Sequence, residues 1–155
     1  MDDLLTQMNR PHFYILKDGQ PVGIYDARQW AAYMEEDPDE NGRRCGHTEW
    51  AKFDKPTRLS TIFLGLDHNF APNGLPLLWE SCFFYGEFTP GQYSRVLNRY
   101  SSLEQAKTGH EELVAMIDLI EDLSGIIKPE LGGRYDFRWS SAPRTVLGFH
   151  SSRLI

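Results

Sequence analysis

The chain of 155 residues is 41% hydrophobic and 13% aromatic, which excludes a disordered polymer and suffices to bury the core of one domain. Its formal net charge of −6 argues against direct nucleic-acid binding, because contact with phosphates requires clustered Lys and Arg. Two cysteines form no disulfide framework, and no apolar run approaches the roughly 18 residues of a membrane span. We therefore expect a single cytoplasmic domain over residues 1–155 that binds no membrane, with residues 1–11 loosely ordered.

The first predicted element is a β-hairpin of residues 13–16 and 21–25. An Asp-Gly pair separates these two apolar runs, and such a pair is typical of a two-residue hairpin turn. A short helix is predicted next, over residues 27–36, because Asp26 has the side chain of an N-cap and an apolar stripe follows it. The chain is thus expected to open with a hairpin and one short helix.

An acidic segment follows the short helix and is predicted to be an exposed loop over residues 35–47. It contains proline and glycine and has no hydrophobic period. A charge run of this kind is usually a solvated surface, but carboxylates can also occupy a basic groove of another protein in place of phosphates. The candidate partner-binding residues are Glu35, Glu36, Asp37, Asp39 and Glu40.

The central part of the chain, residues 59–84, is predicted to form a hairpin of two largely buried strands around a Pro-Asn-Gly turn. If the turn is centred near residues 72 and 73, Glu80 lies opposite Gly65 and shares a face with Asp67. Gly65 would leave room there for a ligand or another backbone, and two adjacent carboxylates are typical of an acid–base pair or a hard-metal site. In the alternative interpretation, Asp67 caps the turn and Glu80 binds helix backbone or an arginine.

The longest predicted helix begins at Ser101 or Ser102 and ends before Gly125, with one continuous apolar face. His110 lies on that face, where a histidine is most often a core residue. Alternatively, His110 points toward Asp67, His68 or Glu80 and serves as a general base or metal ligand. One or two short strands are predicted in the segment that follows the helix.

Two residues just before this helix, Arg99 and Tyr100, are candidate ligand-binding residues, since a helix N-terminus and nearby positive charge attract anions. The alternative is an ion pair between Arg99 and a carboxylate of the sheet. Cys45 and His47 offer one pair of metal ligands, but no second pair has ligand spacing. No cofactor is therefore predicted, and a divalent metal is only an alternative at these polar residues.

Together the elements predict an α+β fold: a single compact domain with a mainly antiparallel sheet, on which one long and one short helix pack. No nucleophile elbow, dinucleotide loop, phosphate loop or zinc-protease motif occurs in the chain. The sequence thus favours a binding protein over an enzyme. It leaves open a small hydrolase or ligand-sequestering protein with a metal- or nucleotide-binding pocket at Asp67, His68, Glu80 and His110.

The segments FLGLDHNF (63–70), LLWES (77–81) and RYSS (99–102), with Gly109-His110, resemble a family of small uncharacterised proteins of tailed bacteriophages and prophages. The resemblance covers residues 13–117 and implies no assigned reaction. This chain differs in the APNGL sequence of its central turn and in its extension beyond the long helix. The resemblance implies a phage or prophage accessory protein that binds a host protein or defence component inside the bacterial cell, with a minor virion component as the alternative.

Overall fold

The computed structural model describes residues 10–69, 74–87 and 93–123, together with the backbone of 127–129 and 135–137. In chain order its elements are β1 (Phe13–Lys17), β2 (Gln20–Ile24), α1 (Ala27–Glu35), β3 (Arg44–Trp50), β4 (Thr57–Phe63), β5 (Trp79–Tyr85), β6 (Tyr93–Tyr100), α2 (Leu103–Asp118), β7 (Ile127–Pro129) and β8 (Tyr135–Phe137). Antiparallel sheets and two helices form one compact domain, so the predicted α+β fold is confirmed. The prediction for residues 1–9 lies outside the described residues, as does most of the prediction for the chain after residue 123.

The β1–β2 hairpin forms as the Asp-Gly pair predicts. Asp18 and Gly19 have φ angles of 52° and 75°, and positive φ at both central residues is the geometry of a type I′ turn. α1 begins after Asp26, whose carboxylate accepts a hydrogen bond from the backbone N–H of Arg28 at 2.8 Å. The predicted N-cap of the short helix is therefore confirmed as well.

β3, β4, β5 and β6 form one antiparallel four-stranded sheet in chain order. The sequence predicts only its central strands, and β3 and β6 are found at its edges. β3 begins at Arg44, so the predicted exposed loop of residues 35–47 is wrong at its C-terminal end. Gly46 and Thr48 of β3 both face α2, and since neither is a large apolar residue, the sequence shows no strand-like alternation there.

The pairing of β4 with β5 also differs from the predicted hairpin. Glu80 lies opposite Ile62 rather than Gly65, a difference of three residues. β4 ends shortly before Gly65, whose φ of +64° turns the chain toward β1, where its carbonyl accepts from the N–H of Tyr14 at 2.8 Å. Asp67 makes a second contact with this part of the chain, because its N–H donates to the carbonyl of His12 at 3.0 Å.

The inner face of the four-stranded sheet packs against α2, and the core between them has two clusters of buried residues. The first cluster consists of Trp50, Phe53, Leu59, Phe83, Tyr85, Ile117 and Leu123. The second consists of Tyr14, Phe63, Leu78, Trp79, Tyr100 and Ala106, so it joins the β1–β2 hairpin to the main sheet. Burial of side chains of this size stabilises the fold by about 2 kcal/mol each.

α2 begins after Ser102, one of the two predicted N-caps, whose hydroxyl accepts from the N–H of Gln105 at 3.2 Å. It ends at Asp118, earlier than the predicted stop before Gly125. Lys52 donates to the carbonyl of Asp118 at 2.7 Å and so places a cation at the negative end of the helix. Within the described ranges, neither helix has the length and apolar character that crossing a membrane requires.

Candidate functional site

The most unusual buried chemistry of the described chain lies between α2 and the four-stranded sheet. His110 is buried there, with Nδ1 2.8 Å from Thr61 Oγ1 and Nε2 3.0 Å from Thr48 Oγ1. Thr61 Oγ1 lies 2.6 Å from Ser81 Oγ, which in turn lies 3.0 Å from the Tyr100 hydroxyl. α2 and each strand of the sheet thus contribute one side chain to a continuous hydrogen-bonded chain, which we name the His110 network.

Two glycines make room for the aromatic rings of the His110 network. A Cβ atom on Gly46 of β3 would lie 2.5 Å from Cγ of His110. A Cβ atom on Gly109 of α2 would overlap the ring and hydroxyl of Tyr100. Real Cβ atoms do not approach other atoms so closely, so both rings occupy space that only glycine leaves open.

Burial sets the protonation of this network. Burial lowers the pKa of His110 below its ordinary value of 6.5; the nearby His47 lowers it further, and Glu111 opposes the shift. Burial likewise raises the pKa of Tyr100 above its ordinary value of 10.0, while hydrogen bonds with Ser81 and Asn98 oppose that shift. The network is therefore uncharged at neutral pH.

The His110 network lacks the access that catalysis requires. Thr61 and Ser81 have 0% relative exposure, so their hydroxyl groups meet no substrate in this state. All five side chains are instead hydrogen-bonded to one another, which is how buried polar groups offset the loss of water. The interpretation of His110 as a satisfied core residue is confirmed, and the network connects helix to sheet.

Glu80 lies on the opposite face of the sheet from His110. Side chains alternate along β5, and Ser81 faces α2, so its neighbour Glu80 faces away. The carboxylate of Glu80 accepts from Nε of Arg99 at 2.9 Å, which confirms the predicted alternative of an ion pair within the sheet. The sheet thus separates Glu80 from His110, and the predicted pocket that includes both does not form.

Neutralisation of this ion pair by Glu80→Gln is expected to cost about 0.5 kcal/mol of unfolding free energy, and at most about 1 kcal/mol. The Arg99 side chain is 36% exposed, so water already screens its charge. Urea unfolding of the wild type and the variant at equal ionic strength measures the difference. A loss of several kcal/mol would show that water does not screen this pair, in which the Glu80 side chain is 13% exposed.

Asp67 has a structural role at the loop that joins β4 and β5. Its side chain is 3% exposed and lies 2.6 Å from the guanidinium of Arg10. It also accepts from the backbone N–H groups of Asn69 at 2.8 Å and Leu77 at 3.1 Å, so the interpretation of Asp67 as a turn cap is confirmed. His68 lies beside it and contacts the carbonyl of Leu66 at 2.8 Å through Nδ1.

The cysteines and histidines of the described chain are not arranged as a metal centre. Cys45 donates to the carbonyl of Thr61 at 3.5 Å, and burial raises its pKa. Burial, with the charge of Glu80 adding to it, raises the pKa of Cys82 to about 11, so this thiol is unreactive at neutral pH. Nowhere in the part of the chain that the structure describes do three His, Cys, Asp or Glu side chains come together as metal ligands would.

A group of exposed carboxylates lies on the acidic loop, defined as residues 35–43: Glu35, the last residue of α1, and the segment that connects α1 to β3. All five predicted partner-binding carboxylates are exposed on it: Glu35, Glu36, Asp37, Asp39 and Glu40. Asp37 accepts from the N–H of Asp39 at 2.8 Å, and Asp39 lies 3.2 Å from the guanidinium of Arg44. The other carboxylates extend from a backbone that is itself held in place.

Arg43 is the residue that holds the acidic loop. It is 4% exposed, and its guanidinium donates to the carbonyls of Met34 at 3.0 Å and Glu36 at 2.7 Å and to the side chain of Asn41 at 3.2 Å. It also lies 5.7 Å from the centre of the Tyr33 ring, within reach of a cation–π contact. A buried arginine thus binds the C-terminal end of α1, where free carbonyls favour a cation.

The fold and these two features define a small α+β protein with a closed polar interior and an ordered, exposed acidic loop. No family model matches the chain, and neither a curated protein nor a solved structure matches it.

Proposed function

We propose that this protein is a binding protein that uses its acidic loop to engage a basic surface of another protein. The observation that supports this function best is the combination of five exposed carboxylates with the buried Arg43, which fixes the backbone that carries them. The chain has no recognised catalytic motif, and the buried hydroxyls of the His110 network are inaccessible. A non-enzymatic function therefore fits the chemistry of the described residues.

An ordered loop is suited to binding because its conformational entropy is lost on folding rather than on association. Carboxylates on such a loop attract a basic partner over the distance of the Debye length and raise the rate of encounter. They also disfavour acidic partners, so the same charges contribute specificity. The net charge of −6 acts in the same direction over the whole surface.

The resemblance to phage and prophage proteins supports a bacterial host protein as the partner. We propose that the protein modulates this host factor, or a component of host defence, in the bacterial cytoplasm. A basic groove that normally receives nucleic acid is a suitable target, because carboxylates can take the positions of phosphates. A role in the virion is distinguished by the presence of the protein in purified particles.

The test is capture of partners from bacterial lysate by the tagged full-length protein, compared by quantitative mass spectrometry with an unrelated acidic protein of similar size. One saturable host protein with a basic surface is the expected result. The same capture is repeated with the double variant Glu35→Lys/Glu40→Lys. No hydrogen bond or ion pair of either side chain occurs within residues 10–69, 74–87 and 93–123, so the fold is expected to tolerate both changes.

We expect this charge reversal to reduce the captured amount at least about tenfold, because charged residues at a binding surface each contribute on the order of 1 kcal/mol. The control is Glu112→Lys/Glu121→Lys, which makes the same change in net charge at exposed positions outside the loop. Capture that falls equally in both variants would indicate a general charge effect. Undiminished capture by the loop variant would exclude the acidic loop as the binding surface.

A further inference from the structure

Both ring nitrogens of the buried His110 contact hydroxyl groups. Its two nitrogens contact Thr61 Oγ1 and Thr48 Oγ1, and hydroxyls can either donate or accept. A neutral imidazole satisfies this arrangement, with one nitrogen donating and the other accepting. A cationic imidazole must donate from both nitrogens, so it changes the direction of the hydrogen bonds on at least one side.

The change in direction extends through the network. If Nδ1 donates to Thr61, the hydroxyl hydrogen of Thr61 is free to point at Ser81, and that of Ser81 at Tyr100. If Nδ1 instead accepts, the hydroxyl hydrogen of Thr61 points at Nδ1 and that of Ser81 points at Thr61. Protonation of His110 allows only the first arrangement, so it fixes the hydrogen-bond direction of the network on all four strands as well as the charge of the ring.

The charged and titratable groups around the ring do not neutralise a buried imidazolium. On β3 they are His47 and Cys45, and His47 is itself held by Glu49 at 3.0 Å. On β6 the titratable group is Tyr100, whose burial keeps it protonated. On α2 the exposed Glu111 is the favourable neighbour, but it opposes only part of the effect of burial. β4 and β5 contribute the hydroxyls of Thr61 and Ser81 to the network and no ionisable side chain.

We propose that His110 is an acid-sensitive latch that holds α2 against the four-stranded sheet when its ring is neutral and loosens this contact when the ring is protonated. The placement favours such a role because His110 lies at the middle of the helix face and bonds to β3 and β4 at once. Loss of this contact also removes support from the ring of Tyr100, which packs on Gly109. The latch does not depend on the acidic loop or on any partner.

The direction of the pH effect follows from burial. Because the folded protein holds the pKa of His110 below the ordinary value of 6.5, the unfolded chain takes up the proton more readily. The contribution of the neutral ring is fully present above the unfolded value. It decreases as the pH falls below that value, and it stops decreasing once the pH is below the folded pKa.

The experiment measures urea unfolding of the wild type and His110→Gln at about pH 7.5 and about pH 5.5. When the pH is lowered from the first value to the second, the unfolding constant of the wild type is expected to increase up to about tenfold more than that of His110→Gln. Glutamine keeps a donor and an acceptor but does not titrate. The matched control His12→Gln removes an exposed histidine outside the network and should retain the wild-type dependence.

Equal pH dependence in the wild type and His110→Gln would overturn the proposal. If His110→Gln does not fold, NMR titration of the ring signals of the wild-type histidines replaces the comparison. The titration midpoint of His110 is then expected below the ordinary value of 6.5, with signals of α2 amides changing at the same midpoint. A midpoint at or above the ordinary value, or α2 amides that do not respond, would equally overturn it.

Discussion

Gly65→Ala is expected to destabilise the protein by about 3 kcal/mol, because two costs add at this position. The φ of Gly65 is +64°, a conformation that residues with a Cβ adopt at a cost of about 1 kcal/mol. In addition, a Cβ atom there would lie 2.7 Å from the backbone oxygen of Tyr14 and 2.8 Å from Nε1 of Trp30. A backbone atom cannot move aside without separating β1 from the segment that follows β4, so the contact between the hairpin and the main sheet is weakened.

Gly42→Ala is the matched control for this prediction. Gly42 has a similar φ of +73°, but a Cβ atom there would meet nothing within 4 Å. It should therefore show only the conformational cost of about 1 kcal/mol. Chemical denaturation of both variants measures the difference. Equal losses at the two positions would show that the approach of Tyr14 to Gly65 contributes nothing to stability.

Gly109→Ala is expected to destabilise the protein by about 2 kcal/mol, even though alanine is preferred over glycine in a helix by about 1 kcal/mol. The added Cβ would overlap the Tyr100 ring, which is buried and hydrogen-bonded to Ser81. The ring cannot move away without breaking its hydrogen bond and disturbing Ala106 and Trp79 in the same cluster. The predicted sign is thus opposite to the one that helix propensity alone gives.

Thr108→Ala, at the exposed neighbouring position of the same helix, is the control for Gly109→Ala. We expect this variant either to lower the unfolding free energy by less than about 0.5 kcal/mol or to raise it. Both variants are compared by thermal and urea unfolding. A stabilising effect of Gly109→Ala, as helix propensity alone predicts, would contradict the close packing of α2 on Tyr100.

Local signals in the sequence predict the parts of the fold that depend on neighbouring residues. The Asp18-Gly19 turn, the Asp26 cap and the Ser102 cap are all found as predicted, because each is specified by side chains within a few residues of one another. The exposure of the acidic carboxylates is confirmed for the same reason: charged side chains remain in water unless a partner is provided.

Features that depend on distant residues are not predicted. β3 lacks an apolar alternation because Gly46 accommodates the ring of His110, which lies far away along the chain. The β4–β5 register depends on Gly65, which leaves the strand to contact β1. The predicted register differs from the observed one by three residues, and an odd-numbered difference places Glu80 on the opposite face of the sheet. The pocket hypothesis for Glu80 and His110 is wrong for that reason.

The residues that matter most to the two proposals carry weak signals in the sequence. Arg43 stands beside Arg44 at the end of a polar segment, and nothing in that pattern distinguishes the buried arginine from the half-buried one. Thr61 and Ser81 lie within strand-like segments, where a hydroxyl is usual on the solvent side. Only their positions opposite each other on β4 and β5, and beneath His110, reveal the network.

The most direct test of the binding proposal is the affinity of the captured host protein for three forms of the full chain, measured in solution at physiological salt. The forms are the wild type, Glu35→Lys/Glu40→Lys in the acidic loop, and the control Glu112→Lys/Glu121→Lys. We predict a dissociation constant at least about tenfold higher for the loop variant and little changed for the control. Equal affinity of the loop variant and the wild type would contradict the central claim that the acidic loop is the binding surface.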